Sequence, residues 1–448
     1  MTATSVSVMR RPYVLTTVGS WSLVFLAAFE SLAVTTIMPI VTEDLDGRAL
    51  YSLAFAATVA AGVVGMVVSG AWADSRGPAI PLLTAIGLFA AGLIIAGTAD
   101  SMGIFVAGRF LQGLGAGGQT VALYVLIAKV YPPVTHIRIF GAFASAWVLP
   151  SMVGPFAAGV VADVLSWHWV FLGVVVLVAV ATAMIAPALG GHRPDTPNGP
   201  AFDGRRVTAA VVVAAAAVVL SSSADWDRLL AWLLAPLSIA VILVAARGLL
   251  PPGTYRARPG LAAVVLLCAG AGAVFFGTEV YLPLLLHDRY GLPAWLSGIT
   301  LTAAAVAWAL ASAIQGRLGD RLDEAKALRV GALLLAGGTI VVLLTAALGL
   351  PAVMAAVGWF FAGAGMGTMY PRVSTLVLAL SKPGEEGFNS SAKSIADSIG
   401  ASVSLALAGL IFAGLGDTTT RTPYVGVLVL TSATALAVVA VAARAVSR

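Results

Sequence analysis

The fold follows from one stretch, Gly108-Arg-Phe-Leu-Gln-Gly-Leu-Gly-Ala-Gly117, which the chain repeats as Gly358-Trp-Phe-Phe-Ala-Gly-Ala-Gly-Met-Gly367 at an offset of 250 residues. A second pair, Gly70-Ala-Trp-Ala-Asp74 and Gly316-Arg-Leu-Gly-Asp320, matches at an offset of 246. Similar offsets at two distant places predict a duplicated six-helix unit. Two such halves, rocking about a site at the bilayer midplane, are the physical basis of alternating access.

The composition places both copies in a membrane. Of the 448 residues, 60% are apolar and only 10% are charged, whereas soluble domains carry about a quarter charged residues. A helix needs roughly 20 apolar residues to cross a bilayer, and it pairs its own backbone polar groups there. Such runs recur along the chain, without the alternation of about ten-residue β-barrel strands. The expected fold class is therefore an all-α integral membrane protein.

The apolar runs predict fourteen membrane spans, of which two lie between two sets of six. The predicted spans are 13–40, 51–73, 79–98, 102–127, 138–162, 168–190, 207–223, 229–249, 260–286, 295–315, 326–348, 351–379, 389–414 and 423–445. This arrangement predicts an N-terminal six-helix bundle (1–190), a linker with two additional helices (191–258) and a C-terminal six-helix bundle (259–448). If the two middle runs lie on the membrane surface as amphipathic helices, the count is twelve.

The distribution of charge predicts the orientation. An even number of spans puts both termini on one side, and 18 of the 25 Lys and Arg residues fall in the segments on that side. Because cytoplasmic loops carry an excess of basic residues, we expect a multi-pass protein of the cell membrane with both termini in the cytoplasm. The net charge of +5 does not indicate nucleic-acid binding, since the basic residues are spread over short loops.

The loop after the second span has the pattern Gly70-x-x-x-Asp74-Ser-Arg76-Gly77, and the second half contains a counterpart, Gly316-x-x-x-Asp320-Arg321. A carboxylate such as Asp74 is favoured at the N-terminal end of a neighbouring helix by about 0.3–1 kcal/mol. Arg76 can pair with a carboxylate from elsewhere. Such contacts would latch the cytoplasmic side in one conformation, whereas the alternative is an ordinary polar turn.

The fourth and fifth spans carry two further patterns, Arg109-Phe-Leu-Gln112-Gly113-Leu-Gly115 and Gly154-Pro155-x-x-x-Gly159. Pro150 and Pro155 each remove a helix hydrogen bond and bend the fifth span. Gly154 and Gly159 let a neighbouring helix approach closely. We therefore expect a kinked and packed helix at the interface between the halves.

Together these patterns resemble the major facilitator superfamily, specifically its drug:proton antiporters. The first loop resembles the family's signature loop without its basic tail, because Pro78 and Ala79 follow Gly77. The fifth span resembles the antiporter motif, although Pro150 replaces an upstream glycine and Gly159 stands where a glycine pair is usual. The two middle helices fit the fourteen-helix branch.

The resemblance implies a proton-coupled secondary transporter that exports small amphipathic or hydrophobic compounds by alternating access. It implies no cofactor, since the proton gradient supplies the energy, and it implies a monomer that interacts with lipid, protons and a small-molecule substrate. The alternatives are a dedicated exporter of a lipid or secondary metabolite, a proton-coupled symporter, and a transport-dead membrane sensor.

Four ionisable residues inside spans are the candidate proton-coupling residues, because a charge at mid-bilayer costs at least about 2.5–3.5 kcal/mol on insertion scales. Glu30 has apolar neighbours that disfavour its ionised form, which suits reversible protonation; the alternative is a permanently paired carboxylate. Arg109 cannot lose its proton, so it either tunes nearby carboxylates or is a structural hub. The other two candidates are Glu279 and Asp397.

The last two carboxylates leave more alternatives open. Glu279 faces either the central cavity or only the outer interface. Asp397 follows Lys393 by four residues, a spacing that permits a structural salt bridge on one helix face. The other interpretation is a second titrating site that Lys393 tunes.

Bulky and polar residues of several spans are candidates for a substrate cavity, although packing or lipid contact would also explain them. These candidates are Phe29, Gln112, Trp147, Tyr281 and Trp359. Neither a metal site nor an enzyme is expected, because the four histidines are far apart and no nucleophile–base pair is visible. The chain also has no GxxxxGK[ST] loop, which argues against transport driven by ATP.

Overall fold

The structure, a computed structural model, describes residues 9, 13–47, 50–190, 203–222, 228–292, 294–318, 322–415 and 420–445. Within these ranges the regular secondary structure is helical and no β-strand occurs. Eleven of the described helical stretches are long and apolar enough to cross a membrane. The chain is therefore an all-α integral membrane protein, as its composition predicts.

The chain forms two compact units. The first comprises Met1–Val218 and Ser381–Ser391, and the second comprises Val219–Leu380 and Ala392–Arg448. The predicted division into residues 1–190, 191–258 and 259–448 follows the linkers in the sequence, and it stays a prediction.

The first unit is built on six long helices, in which α4 packs against both α2 and α3 while α1 packs against α5 and α6. Their bounds are α1 (Val14–Asp44), α2 (Tyr51–Arg76), α3 (Ala79–Gly97), α4 (Met102–Val130), α5 (Pro133–Val164) and α6 (His168–Leu189). Aromatic side chains contribute to the core. The ring of Phe105 lies edge-on to that of Phe171, with 5.5 Å between centroids.

Two helices occupy the positions of the predicted middle spans, namely α7 (Gly204–Ser222) and α8 (Arg228–Ala245). Neither is among the eleven long apolar stretches, although Leu233–Gly248 is a shorter apolar helical stretch. The choice between fourteen and twelve spans therefore stays a prediction.

The second unit contains a helix arrangement like that of the first, with α13 packed against α11 and α12, and with α15 packed against α9 and α12. The remaining helices are α9 (Leu261–Glu279), α10 (Tyr281–Tyr290), α11 (Ala294–Leu318), α12 (Glu324–Leu348), α13 (Ala352–Ala379), α14 (Glu386–Gly414) and α15 (Thr422–Ala445). The first turns of α14, up to Ser391, belong to the first unit. Helices α9 and α10 together form one apolar stretch, Leu261–Tyr290. The break between them has a simple cause, because Pro283 has no N–H to donate to the carbonyl of Glu279.

The same glycine contacts recur in both units. A Cβ on Gly113 of α4 would overlap the carbonyl of Thr58 in α2, and a Cβ on Gly363 of α13 would overlap the carbonyl of Ala304 in α11. These positions differ by 250 and 246 residues, the two offsets of the sequence repeat. Gly117 against Gly62 and Gly367 against Trp308 form another such pair of contacts. The duplication predicted from the sequence is therefore present in the backbone packing.

Replacing Gly363 with alanine should destabilise the second unit, because the new Cβ has no space beside the Ala304 backbone. Overpacking of this kind costs about 1–3 kcal/mol. The matched control is Gly337→Ala in α12, where a Cβ meets no atom within 4 Å. Thermal unfolding of the full chain in detergent should show a lower midpoint for Gly363→Ala only. Equal midpoints for the two variants would show that the close approach is unimportant.

Candidate functional site

A charged pair lies buried inside the first unit. Arg109 of α4 donates a hydrogen bond from Nη1 to Oε1 of Glu30 in α1, and the two side chains form a salt bridge. They are only 3% and 4% exposed. The same Nη1 donates to Oε1 of Gln112, one turn further along α4, at 2.7 Å. The structure therefore brings three candidate residues from two helices into one polar cluster.

The cluster retains hydrogen-bonding capacity. Nε of Arg109 and Nε2 of Gln112 are buried and make no hydrogen bond to any residue that the structure describes. A buried donor without an acceptor costs about 1–3 kcal/mol. The cluster can therefore gain stability by binding another acceptor, such as an oxygen atom of a ligand.

Three aromatic rings lie along one face of α1. Trp21, Phe25 and Phe29 follow one another at intervals of four residues, and adjacent rings stack with centroids 5.1 and 6.4 Å apart. Nε1 of Trp21 donates to Oγ of Ser145 in α5 at 3.2 Å. The interval keeps the three rings on one face of the helix, so they form an apolar surface on α1.

Helix α5 meets this aromatic surface through small residues. A Cβ on Gly154 would lie 3.5 Å from the ring of Phe29, so the predicted motif faces α1. Pro150 is buried and Gly159 is half-buried, and the helix is assigned as continuous from Pro133 to Val164. The side chain of Pro155 lies outside the described part of the structure. The role of this helix in conformational change stays a prediction.

Asp74 lies at the N-terminus of α14. Its Oδ1 accepts a hydrogen bond from the N–H of Gly387 at 2.6 Å, and its Oδ2 accepts one from the N–H of Phe388 at 2.8 Å. The backbone of Gly70 packs against Gly387, since a Cβ at either position would overlap the other residue. The carboxylate thus satisfies two N–H groups that a helix start leaves unpaired, and it faces the positive end of the helix dipole.

The other predicted residues of the two loops are only partly described. Arg76 is exposed at the end of α2, and Gly316 is half-buried near the end of α11. Asp320 and Arg321 lie outside the described residues. The structure therefore gives a partner to the aspartate of the first loop, and the roles of these other residues stay predictions.

The second unit contains a separate polar cluster around Tyr370, which the sequence analysis did not identify. The hydroxyl of Tyr370 in α13 donates to Oδ2 of Asp397 in α14 and accepts a hydrogen bond from the thiol of Cys268 at 3.7 Å. The ammonium of Lys393 lies 4.3 Å from the centre of the Tyr370 ring. A tyrosine in an apolar run resembles packing, so its pairing with Asp397 left no signal in the sequence.

A further buried arginine was also missed as a site residue. Nε of Arg372 in α13 donates to Oε1 of Gln315 in α11 at 3.0 Å, and both side chains are buried. Arg109 and Gln112 lie within one helix turn and were noticed together, but Arg372 and Gln315 lie 57 residues apart. The second unit therefore has an arginine–glutamine contact between neighbouring helices, whereas the Arg109–Gln112 contact of the first unit lies within α4.

The remaining candidates are dispersed. Glu279 is half-buried at the break between α9 and α10, and no described residue forms a hydrogen bond or salt bridge with it. Trp359 is fully buried and stacks on Phe275 at 4.6 Å, so it packs in the core of the second unit. Tyr281 is half-buried beside Phe412, at 5.1 Å between rings. Trp147 is 51% exposed.

The described residues contain no group of three or more His, Cys, Asp or Glu side chains placed to hold a metal ion. The buried and half-buried polar side chains described above include carboxylates and the hydrogen-bond donors arginine, glutamine and tyrosine.

Comparison with known proteins agrees with this geometry. The Major Facilitator Superfamily profile matches residues 20–403. The chain is 25% identical over 397 residues to the multidrug transporter protein MdtP of Bacillus subtilis (strain 168), covering 86% of this chain and 73% of that protein. It is 22% identical over 414 residues to the multidrug efflux pump SdrM of Staphylococcus aureus (strain N315), covering 90% and 91%. A shorter match, 35% identical over 148 residues, covers 33% of this chain and 27% of the MFS efflux transporter aclA of Aspergillus oryzae (strain ATCC 42149 / RIB 40).

Solved structures show the same fold. A bacterial homologue of the iron transporter ferroportin, in its outward-facing state, superposes with a TM-score of 0.72 at 13% identity, covering 97% of this chain and 99% of that one. The fold and the buried polar clusters thus define a membrane transport protein. The chain belongs to the Major Facilitator Superfamily, because the family profile spans most of its length. The resemblance inferred from the sequence motifs is confirmed.

Replacing Asp74 with asparagine should weaken the contact with α14, because an amide carries no charge and has only one acceptor oxygen. Loss of a helix cap costs about 0.5–2 kcal/mol. Hydrogen exchange of the full chain should accelerate at Gly387 and Phe388. Asp323→Asn is a matched control, because Asp323 caps α12 through the N–H of Lys326 at 3.1 Å and should affect exchange there only. Unchanged exchange at Gly387 in Asp74→Asn would contradict this assignment.

Proposed function

We propose that this protein is a proton-coupled antiporter that exports small amphipathic or hydrophobic compounds by alternating access. The observation that carries the proposal is the buried Glu30–Arg109 pair, whose cluster contains two hydrogen-bond donors without an acceptor among the described residues. The names of the relatives MdtP and SdrM, a multidrug transporter and a multidrug efflux pump, support export of this class of compound.

Protonation of Glu30 would change the energy of the pair. Charged groups interact more strongly at low effective dielectric, and a buried pair that loses one charge leaves the other uncompensated, at a cost of about 3–5 kcal/mol. Arg109 keeps its charge throughout, so a proton on Glu30 alters the balance between two arrangements of the helices. This difference in free energy is what couples proton binding to conformation.

Substrate would bind to the same cluster in the other half of the transport cycle, when Glu30 is ionised. With Glu30 ionised, the cluster favours one facing state and a bound substrate, and protonation of Glu30 releases that substrate. An acceptor group on the substrate would be received by Nε of Arg109 or Nε2 of Gln112. Its apolar part would lie against Phe29 and Phe25. Proton and substrate then occupy the cluster alternately, which is the requirement for antiport.

The contact between Asp74 and α14 is proposed as a latch for one facing state. It joins the end of α2 to the first turn of α14 by two hydrogen bonds to a charged acceptor, which are stronger than neutral ones. Arg206 of α7 lies 4.1 Å from the centre of the Phe388 ring, so an additional middle helix also contacts this turn. Opening the other state would require these contacts to break together.

Asp397 is proposed as a second proton site, with Tyr370 as the residue that positions it, and Glu279 as a third candidate. Tyr370 donates to Asp397, and the loss of this donor would alter proton binding without removing the carboxylate. Measured protons per substrate should therefore fall in Asp397→Asn. An unchanged ratio would assign Asp397 and Tyr370 to structure alone.

Two alternatives share the same cluster. A dedicated exporter would transport one lipid or secondary metabolite, and a symporter would move its substrate with protons. The proposal further assigns the protein to the cell membrane as a monomer with both termini in the cytoplasm, and it requires no cofactor. Transport measured over a panel of amphipathic compounds distinguishes an exporter of many substrates from an exporter of one.

Replacing Glu30 with glutamine should abolish proton coupling, because the amide cannot take up a proton from water while it retains the shape of the side chain. Substrate-induced quenching of an internal pH dye in proteoliposomes should fall to the level of protein-free vesicles. Glu43→Gln is the matched control, since Glu43 is an exposed carboxylate on the same helix. Both variants should elute as folded protein on size exclusion. Undiminished proton coupling in Glu30→Gln would contradict the proposal.

A further inference from the structure

The segment between α8 and α9 is a folded loop with its own cavity. It contains two short 3-10 helices, Ala246–Gly248 and Thr254–Arg256. Oγ1 of Thr254 donates to the carbonyl of Pro251 at 2.6 Å, and the carbonyl of Gly253 accepts the N–H groups of Arg256 and Arg258 at 3.0 and 3.2 Å. These hydrogen bonds join the loop to itself and fix its backbone, from which the side chains around the cavity extend.

One glycine fixes the shape of this loop. Gly253 has a φ of +90° and a Cβ there would overlap the side chain of Arg258. Glycine is the residue that adopts positive φ without steric cost, and here its missing side chain leaves the space that Arg258 fills. The arginine is therefore held over the loop rather than extended away from it.

The cavity has a volume of about 260 Å³, which exceeds that of several water molecules at about 30 Å³ each in the liquid. The residues that give it its chemistry are Arg247, Tyr255, Arg256 and Arg258. The hydroxyl of Tyr255 donates to the carbonyl of Leu243 at 2.7 Å, which fixes the ring at the edge of the cavity. Burial raises the pKa of this hydroxyl, so it remains protonated at neutral pH.

The cavity is strongly basic. Three arginines line it, all with exposed side chains, and none of its described lining residues is acidic. No described carboxylate forms a salt bridge with Arg247, Arg256 or Arg258. Like charges around one cavity repel each other, and an anion between them removes that repulsion. A guanidinium fork matches the oxygen atoms of a phosphate group in geometry as well as charge.

The position of the cavity in the chain indicates which kind of molecule supplies the anion. The loop follows the apolar stretch Leu233–Gly248 and precedes Leu261–Tyr290, which is long and apolar enough to cross a membrane. It therefore lies at the membrane surface, on the side that the charge distribution predicts to be cytoplasmic. Basic pockets at such positions are suited to anionic lipid headgroups.

We propose that the cavity formed by Arg247, Arg256 and Arg258 is a binding site for the phosphate group of an anionic phospholipid. The site lies in the second unit and shares no residue with the Glu30–Arg109 cluster, so it does not depend on the proposed transport mechanism. Phosphatidylcholine has the same phosphate but carries a compensating positive charge, so the site should prefer phosphatidylglycerol.

The test uses the full-length protein, purified in detergent and freed of co-purified lipid. Binding of phosphatidylglycerol and of phosphatidylcholine is measured by native mass spectrometry for the native chain and for the double variant Arg256→Gln/Arg258→Gln. We expect phosphatidylglycerol affinity to fall at least about tenfold in the variant, because charge-assisted hydrogen bonds are lost. Lys326→Gln/Arg329→Gln removes the same charge from exposed positions of α12 and should leave the affinity unchanged.

Inorganic phosphate and glycerol phosphate are tested as soluble competitors of phosphatidylglycerol. If either soluble anion binds the native chain and phosphatidylglycerol does not, the cavity is a site for a soluble phosphate and the lipid assignment is overturned. Equal losses in both double variants, or no preference over phosphatidylcholine, would also overturn it. Unchanged thermal midpoints in phosphatidylcholine serve to show that the variants are folded.

Discussion

The salt bridge between Glu30 and Arg109 joins two helices, α1 and α4, that are long and apolar enough to cross a membrane. Lipid offers no hydrogen bonds to either group, so Glu30 depends on Arg109, and Arg109 depends on Glu30 and Gln112. This requirement fixes the rotation of α1 and α4 about their axes, because any other face would expose a charge to hydrocarbon. It also makes the pair sensitive to one proton, since neutralising Glu30 leaves Arg109 without a counter-charge.

The helices around the salt bridge pack closely against one another. Gly113 and Gly117 of α4 lie against the backbone of α2, and Gly363 and Gly367 make the same contacts between α13 and α11. Small residues are the usual means by which helices pack in membranes, where burial of apolar side chains gives no advantage over lipid. The two units therefore resemble each other in backbone packing, although their polar clusters differ. The first holds Glu30 and Arg109, and the second holds Asp397, Tyr370 and Lys393.

The helices and the duplication could be predicted from the sequence, because apolar runs and glycine spacing record the two constraints that lipid imposes. Glu30 and Arg109 could be singled out for the same reason, since charges in apolar runs are costly. The clustering of side chains from distant helices could not be predicted. Tyr370 was missed because a tyrosine in a span resembles packing. Trp359, a candidate for a substrate cavity, is fully buried in the second unit, and its role stays a prediction. The basic cavity was missed because Gly253 and its hydrogen bonds, rather than a motif, create it.

Proton-coupled export through the Glu30–Arg109 cluster is tested most directly by the direction of transport in proteoliposomes that carry only a pH gradient. An amphipathic substrate should move against the flow of protons, and so accumulate in the more acidic compartment until the gradient is collapsed by an ionophore. Movement of the substrate with the protons, or accumulation that survives the ionophore, would contradict antiport.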